Sequence, residues 1–128
     1  MPRNAKRTAA QAYIDRMVKR IVKKFHPECV ILFGSHARGE AGPDSDVDLL
    51  IVMGFEGAAR DKELEIRQAL RDILIPKDVI VTRPEDFAWR KDVVGTIEWP
   101  AAREGKVLYV HPKGRPYRNS RVARQGGQ

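Results

Sequence analysis

The chain has 128 residues, the length of one ordinary domain. Its apolar fraction of 42% is enough for a core and its charged fraction of 32% is mixed in sign, which excludes an intrinsically disordered protein. The net charge of +7 suits a polyanionic partner, such as nucleic acid, a nucleotide or an acidic protein face, and equally suits a solvated basic surface.

The single cysteine, Cys29, excludes an intrachain disulfide and a cysteine-based zinc site. Because Cys29 lies in an apolar run, we expect a buried, unreactive thiol. No apolar signal-peptide core follows the basic N-terminus, and no apolar stretch is long enough to span a bilayer. We therefore expect a cytoplasmic protein.

The first part of the chain predicts an amphipathic helix. Thr8 and Gln11 have the spacing of a capping box, and Pro27 ends the helix. Between them, apolar residues recur on one face, while lysines and arginines occupy the remaining surface. The apolar positions are Ala10, Ile14, Met17, Val18, Ile21, Val22 and Phe25.

The following residues alternate between strands and helices. The strands are predicted over residues 29–33, 46–53, 78–82 and, as an edge strand, 106–110. The helices are predicted from Ser35, over 60–74, and in pieces over 84–103. This alternation indicates an α/β sandwich over residues 1–110. From His111 the apolar pattern stops, and residues 111–128 are predicted to form a flexible basic tail.

Two groups of apolar side chains are expected to be buried or to anchor an interface. In the helix over 60–74, these residues are Leu64, Ala69 or Leu70, Ile73 and Leu74. In the region over 84–103, they are Trp89 and Trp99.

The stretch over residues 34–48 carries the chemically informative pattern. A buried strand ends in Gly34-Ser35, a helix start and a loop follow, and Asp46-Val47-Asp48 opens the next strand. Gly34 allows a tight turn and the close approach of a ligand. Ser35 adds its hydroxyl to the backbone N–H groups of a helix N-terminus, which favour a phosphate.

Asp46 and Asp48 are two residues apart on a predicted strand, so their side chains leave the same face, while Val47 points into the core. Two aligned carboxylates repel each other unless a cation lies between them. Mg²⁺ suits this position, because it prefers oxygen ligands and shares its remaining positions with phosphates and water.

Asp78 opens the next predicted strand. If that strand lies beside the one that carries Asp46, Asp78 joins the same cluster. There it can hold a second metal ion or accept the proton of an attacking hydroxyl. Each of these features alone is common in turns and at strand edges, but their joint occurrence favours a functional site.

Gly34-Ser35 and Asp46-Val47-Asp48, separated by ten residues, resemble the signature of the polymerase-β-type nucleotidyltransferase superfamily. The form of residues 34–39 and 45–49 is similar to its minimal nucleotidyltransferase (MNT) branch. This resemblance implies an α/β fold with a mixed sheet of about four strands flanked by helices.

The resemblance also implies the roles of individual residues. Asp46, Asp48 and Asp78 are expected to be catalytic residues and ligands of Mg²⁺, and Gly34 and Ser35 are expected to bind the triphosphate of ATP.

For Arg38, two roles are open. It can bind the triphosphate, or it can pair with Glu40 or Asp44 and shape the loop. His36 stands at the helix start, where an exposed, non-catalytic histidine is expected.

Many members of the MNT branch are antitoxins that inactivate a HEPN-domain ribonuclease toxin by placing AMP on one of its tyrosines. The resemblance therefore implies Mg²⁺-dependent AMP transfer to a HEPN toxin, as in a type VII toxin–antitoxin pair. Two alternatives stay open. One is a nucleotidyltransferase for a small molecule or for RNA, which the basic helix and tail would contact. The other is a non-catalytic module that sequesters the toxin.

Overall fold

A four-stranded mixed sheet organises residues 8–113, the part of the chain that the computed structural model describes. The strands are β1 (Cys29–Phe33), β2 (Val47–Val52), β3 (Lys77–Thr82) and β4 (Lys106–Val110). The helices are α1 (Ala9–Phe25), α2 (Ser35–Arg38), α3 (Ala59–Ala69), α4 (Pro84–Arg90) and α5 (Glu98–Glu104). Most of the predicted tail, from residue 114 onward, lies outside the described residues.

The strand order is β3-β2-β1-β4. β1 runs antiparallel to both β2 and β4, while β2 and β3 are parallel and are joined through α3. A parallel pair needs such a crossover, because its connection must return to the starting edge of the sheet. The α/β fold with a mixed sheet flanked by helices is therefore confirmed.

Helices cover both faces of the sheet and produce two cores. On one face, α1 and α3 bury Met17, Ile21 and Ile66 against alternate strand residues. On the other face, α4 and α5 bury Phe87 and Ala101 against the intervening strand residues. All five residues of β1 are buried, as expected for a strand covered on both faces.

The beginning of α1 confirms the predicted capping box. The Thr8 hydroxyl accepts from the Gln11 backbone N–H at 3.1 Å, and the Gln11 side chain accepts from the Thr8 backbone N–H at 3.0 Å. The helix ends at Phe25, and His26 adopts a left-handed conformation with φ 51° immediately before Pro27.

The predicted helix over 60–74 is shorter than expected, and its apolar residues are buried only in part: Leu70 and Ile73 are buried as predicted, and Leu64 and Leu74 are not. α3 ends at Ala69, and Leu64 and Leu74 are 56% and 81% exposed. The fully buried residues are Ile66, Leu70 and Ile73. Leu64 lies two positions from Ile66, which is about 200° around a helix, so the two cannot face the same core.

Cys29 and the tryptophans give a mixed result. The Cys29 thiol is buried as predicted, and burial, with a smaller effect of Glu28, raises its pKa to about 12. Trp89 is 55% exposed, so it is not a core residue, and the alternative that it anchors an interface stays a prediction. Trp99 is half-buried, and the Arg103 guanidinium lies 4.6 Å from its ring centre. Between residues 8 and 113, no helix is long and apolar enough to cross a membrane.

Gly105 offers a test of how tightly α5 packs on β1. A Cβ at this position would lie 2.3 Å from the Ala101 carbonyl oxygen and 2.6 Å from Ile31 Cγ2. We expect Gly105→Ala to lower the free energy of unfolding by about 1–3 kcal/mol, as overpacking of a core does. Chemical denaturation measures this change.

Gly42→Ala is the matched control, because a Cβ there would meet nothing within 4 Å. Its effect should stay within about 0.5 kcal/mol. Equal stability of the two variants would contradict the packing argument.

Candidate active site

The predicted functional residues lie where three strands meet at one edge of the sheet. β1 ends there at Phe33, and β2 and β3 begin there. In the sheet register, Phe33 stands opposite Asp48, and Asp48 stands beside Asp78. The condition set for Asp78, that its strand adjoins the strand after Asp46, is therefore met.

Gly34 is required at the end of β1 for two reasons. Its φ is +76°, a conformation that side chains with a Cβ rarely adopt. In addition, a Cβ at Gly34 would lie 2.2 Å from Asp48 Oδ2. The absence of a side chain at Gly34 therefore makes the space that the Asp48 carboxylate occupies.

α2 follows Gly34 directly, as predicted. The Gly34 carbonyl accepts from the backbone N–H groups of Ala37 and Arg38 at 3.0 and 3.1 Å, and Ala37 is buried in the core. Ser35, the first residue of α2, is half-buried beside the carboxylate cluster. The short helix is thus anchored on the side away from the site.

The loop between α2 and β2 is tied to α2 by one hydrogen bond and is closed by another within the loop. His36 Nε2 donates to the Ser45 carbonyl at 3.3 Å, and the Ser45 hydroxyl accepts from the Gly42 backbone N–H at 2.9 Å. His36 is half-buried and not exposed as expected, because this contact draws its ring against the loop. Its role is to fix the chain immediately before Asp46.

Asp46 and Asp48 flank the fully buried Val47 at the start of β2. Asp46 is exposed just before the strand and Asp48 is half-buried within it. The Val47 backbone N–H donates to the Pro76 carbonyl at 2.8 Å, which joins this end of β2 to the residues before β3. Asp48 is therefore carried by a strand held from both sides, and Asp46 adjoins the first residue of that strand.

Burial raises the pKa of Asp48, and the neighbouring carboxylates of Asp78 and Asp46 raise it further. His36 and Arg38 act in the opposite direction, but they do not cancel the effect. A site that disfavours its own negative charge in this way suits a cation. Mg²⁺ fits the donor set, because it is commonly held by one or two carboxylates together with substrate phosphates.

Asp78 makes a contact that the sequence did not predict. Arg67 Nη2, from α3, donates to Asp78 Oδ1 at 2.6 Å. Lys77, the neighbour in sequence, instead donates from Nζ to the Ile73 carbonyl at 2.8 Å. Over residues 8–113, no three His, Cys, Asp or Glu side chains form a ready-made set of metal ligands. Asp46 and Asp48, with Asp78 beside Asp48 in the register, offer carboxylate oxygens of the kind that Mg²⁺ takes.

Arg38 lies near this pair but contacts other carboxylates. Its Nε donates to Glu40 Oε1 at 2.9 Å, and its Nη1 lies 3.5 Å from Glu104 Oε1. These contacts match the loop-shaping alternative, with Glu40 as partner. Binding of the triphosphate by Arg38 stays a prediction.

Comparison with known proteins identifies a family to which the sequence is similar. The model of the nucleotidyltransferase domain family matches residues 14–98, more than half of the chain. No curated protein sequence matches the chain. A solved structure described as a nucleotidyltransferase from Sulfolobus solfataricus is similar, with 24% identity over 80% of this chain and 82% of the other and a TM-score of 0.53.

Two toxin–antitoxin structures share the fold as well. One, a complex with AMP-PNP, has 17% identity over 75% of this chain and 73% of the other and a TM-score of 0.52. The second, MntA-HpeT with two aspartate-to-glutamate substitutions, has 15% identity over 75% and 72% of the two chains and a TM-score of 0.53.

The contact between Gly34 and Asp48 can be tested by substitution. We expect Gly34→Ala to lower the free energy of unfolding by about 2–4 kcal/mol, the sum of a cost for a backbone conformation that glycine almost alone adopts and a steric clash. Gly39→Ala is a control for positive φ alone, because Gly39 has φ +75° with ψ 22°, against ψ −157° at Gly34, and a Cβ there would meet nothing within 4 Å. It should show the smaller cost of a left-handed helical residue, about 1–2 kcal/mol.

In an Asp48→Ala background, the excess cost of Gly34→Ala over Gly39→Ala should shrink, since the clashing carboxylate is gone. Chemical denaturation of this double-mutant cycle measures the coupling. If the difference in unfolding free energy between Gly34→Ala and Gly39→Ala stayed the same in this background, the Asp48 carboxylate would not be the reason for glycine at position 34.

The raised pKa of Asp48 predicts the sign of a stability change. An acid with a raised pKa in the folded state costs stability once pH exceeds the unfolded-state pKa, and the cost is complete above the folded-state pKa. Asp48→Asn should therefore stabilise the metal-free protein at pH 7, by less than about 1 kcal/mol because water screens a half-exposed charge.

This gain should vanish in acid below the ordinary pKa of an aspartate. Denaturation at pH 7 and pH 3 measures it, with Asp44→Asn in the exposed loop as the control that should change neither value. Destabilisation by Asp48→Asn at pH 7 would contradict the repulsion argument.

Proposed function

The chain belongs to the nucleotidyltransferase domain family, and we propose that it transfers AMP from ATP to a tyrosine of a HEPN-domain toxin, with Mg²⁺ as the metal. The observation that carries this proposal is the meeting of Asp46, Asp48 and Asp78 with Gly34-Ser35 at one edge of the sheet. Each of these groups has a distinct task in the transfer.

Gly34 and Ser35 would receive the triphosphate, because the turn after β1 has no side chain at Gly34 to obstruct it. Asp46 and Asp48 would hold Mg²⁺, which when bound offsets the negative charge of the phosphates and polarises them. The chain's own part is rigid placement, since Asp48 is on β2 and Asp46 is joined to it through the buried Val47. Such positioning is the larger part of catalysis in phosphoryl transfer.

Asp78 would accept the proton of the acceptor hydroxyl. The acceptor oxygen then forms a bond with the α-phosphorus of ATP, and the bond from that phosphorus to the bridging oxygen of the β-phosphate breaks. The electron pair of the broken bond leaves with pyrophosphate, and AMP stays on the acceptor. Asp78 suits this task, because it stands beside Asp48 in the register, and from there it would also serve as a ligand of the metal.

A protein acceptor is supported by three observations. The two toxin–antitoxin structures share the fold, and one of them carries AMP-PNP. The two substituted aspartates of the other are two positions apart, the spacing of Asp46 and Asp48. Large apolar side chains are exposed around the connection from α4 to α5, a composition typical of protein contacts. They are Trp89, Val93, Val94 and Ile97.

RNA is the second candidate acceptor, because the outer face of α1 is basic. Lys19, Lys23 and Lys24 are exposed on it. Arg16 and Arg20, however, both lie against Asp72, which reduces the charge available to a phosphate backbone. Binding to RNA through this face should weaken steeply as salt is added.

The proposed transfer predicts a mass change. We expect the purified protein, incubated with ATP, Mg²⁺ and the product of the neighbouring gene, to add one or more AMP units to that product, which we propose to be a HEPN-domain toxin. Asp46→Asn and Asp48→Asn should each lower the rate by at least about a hundredfold, since they remove metal ligands. Intact-mass spectrometry over time measures the transfer.

Asp44→Asn is the control, because it removes a nearby loop carboxylate outside the site. It should retain the rate. Toxin inhibition without a mass gain, unaffected by Asp46→Asn or Asp48→Asn, would instead identify a sequestering module. Transfer of AMP to RNA or to a small molecule would show that the acceptor is not a protein, while the nucleotidyl-transfer reaction itself would stand.

A further inference from the structure

A cavity of about 670 Å³ lies behind the short helix α2 and has no part in the proposed transfer. Its floor is apolar and is formed by Ile14 of α1, Leu32 of β1 and Leu108 of β4. The loop between α2 and β2 forms one wall, at Gly39 and Gly42. Cavities of about 300–1,000 Å³ that combine apolar residues with a few polar groups are typical of sites for small molecules.

The cavity and the Asp48 carboxylate lie on opposite faces of the sheet. Side chains alternate along β2, so Val47 and Leu49 point to the face covered by α1 and α3, and Asp48 between them points to the other face. Ile14 and Leu32 of the cavity belong to the same core as Val47 and Leu49. The cavity is therefore not a continuation of the candidate active site.

The polar groups of the cavity are mostly hydrogen-bond donors. Lys106 is exposed on the rim, and within residues 8–113 its ammonium group has neither a hydrogen bond nor an ion pair. The capping box uses the Thr8 hydroxyl oxygen and the Gln11 side-chain carbonyl as acceptors, so the hydroxyl hydrogen and the amide NH₂ group remain as donors. Asp15 also lines the cavity but already takes part in another interaction. A free cation beside an apolar floor suits an apolar molecule with one anionic group.

The wall of the cavity is the same loop that leads to Asp46. His36 lines the cavity, and its Nε2 contacts the Ser45 carbonyl at 3.3 Å. Gly42 lines it as well, and its backbone N–H donates to the Ser45 hydroxyl at 2.9 Å. Asp46 follows Ser45 directly, so a molecule that contacts His36 or Gly42 acts on partners of the residue next to an active-site carboxylate.

We propose that this cavity is a second ligand site, which binds a small apolar molecule that carries one anionic group. Lys106 contacts the anionic group, and Ile14, Leu32 and Leu108 contact the apolar body. Binding is coupled to the active site, because the two sites share the loop between α2 and β2. The second site does not depend on the proposed function, since neither ATP nor an acceptor takes part in it.

Anilinonaphthalene sulfonate is a suitable probe for the full chain, because it joins an apolar ring system to one sulfonate. We expect one molecule to bind per chain, as measured by titration calorimetry. Lys106→Gln should weaken its binding by about fivefold, the upper range for an exposed ion pair, and the difference should shrink as salt is added. No binding of the probe would overturn the proposal.

Lys19→Gln is the matched control for this charge. It removes an exposed lysine from the outer face of α1, which does not line the cavity. It should change the affinity for the probe by less than about twofold, since an exposed charge outside the site is screened. Equal effects of Lys106→Gln and Lys19→Gln would mean that the probe responds only to net charge, which overturns the proposal.

A pair of tryptophan substitutions in α1 tests the apolar part of the site. Ala10 lines the cavity, whereas Ala12 is exposed and lies outside the lining. We expect Ala10→Trp to weaken binding of the probe by at least about tenfold, because the new ring takes the space of the apolar body. Ala12→Trp should bind as the unchanged protein does, and equal binding by both variants would contradict the site. Ala10→Leu replaces Ala10→Trp if the larger substitution prevents folding.

Backbone amide NMR spectra locate the probe. We expect it to shift the resonances of Gly39 and Gly42, in the wall of the cavity. The resonance of Gly95 should stay in place, because Gly95 lies in the connection from α4 to α5. That connection exposes Val93, Val94 and Ile97 and is the competing apolar surface. A shift at Gly95 without one at Gly42 would place the probe on that surface and overturn the proposal.

Titration with ATP and Mg²⁺ separates the cavity from the active site. For two coupled sites, saturating ATP changes the affinity for the probe by a fixed factor, on the order of fivefold, and the probe changes the affinity for ATP by the same factor. A loss of probe affinity that grows in proportion to ATP would mean that both bind one site, which overturns the proposal. If ATP does not bind and no acceptor is modified, the proposed function fails, while the variants and the NMR spectra still decide the second site.

Discussion

The mutual repulsion of Asp46, Asp48 and Asp78 is the constraint on which the site depends. Three carboxylates at one sheet edge separate unless the backbone that carries them is rigid. β2 meets this requirement, because it is paired on both sides and Val47 is fully buried next to both of its carboxylates. Packing of the apolar residues of β2 thus stabilises an arrangement in which the carboxylates lie close together despite their repulsion.

The repulsion also explains why the surrounding polar groups differ so much in kind. Gly34 contributes only space, since any side chain there would occupy the position of the Asp48 carboxylate. His36 and Arg38 lower the pKa of Asp48 from the β1 side, and Arg67 pairs with Asp78 from the β3 side. The site keeps a surplus of negative charge, which suits a bound cation such as Mg²⁺.

Sequence patterns correctly predicted those features of the fold that depend on residues close together in the sequence. The capping box, the short buried strands and the turn from Gly34 to Asp48 depend on neighbours in sequence, and the structure has each of them. Leu70 and Ile73 are buried as the pattern predicted, but Leu64 was expected to be buried in place of Ile66, because both are apolar and only the tertiary packing of α3 decides between them. The contact of Arg67 with Asp78 could not be predicted from the sequence. α3 carries several charged residues, and which of them reaches Asp78 depends on how the helix packs beside β3.

The strand order gives the site a direction. Gly34-Ser35 stand at the end of β1, Asp46 and Asp48 at β2, and Asp78 with Arg67 at β3. An in-line displacement needs the attacking and leaving oxygens on opposite sides of the phosphorus. With the triphosphate at β1, as we propose, the acceptor would approach from β3, past the end of α3. Leu74, 81% exposed just before β3, lies on this side, and an exposed leucine there suits contact with a protein surface better than with a phosphate backbone.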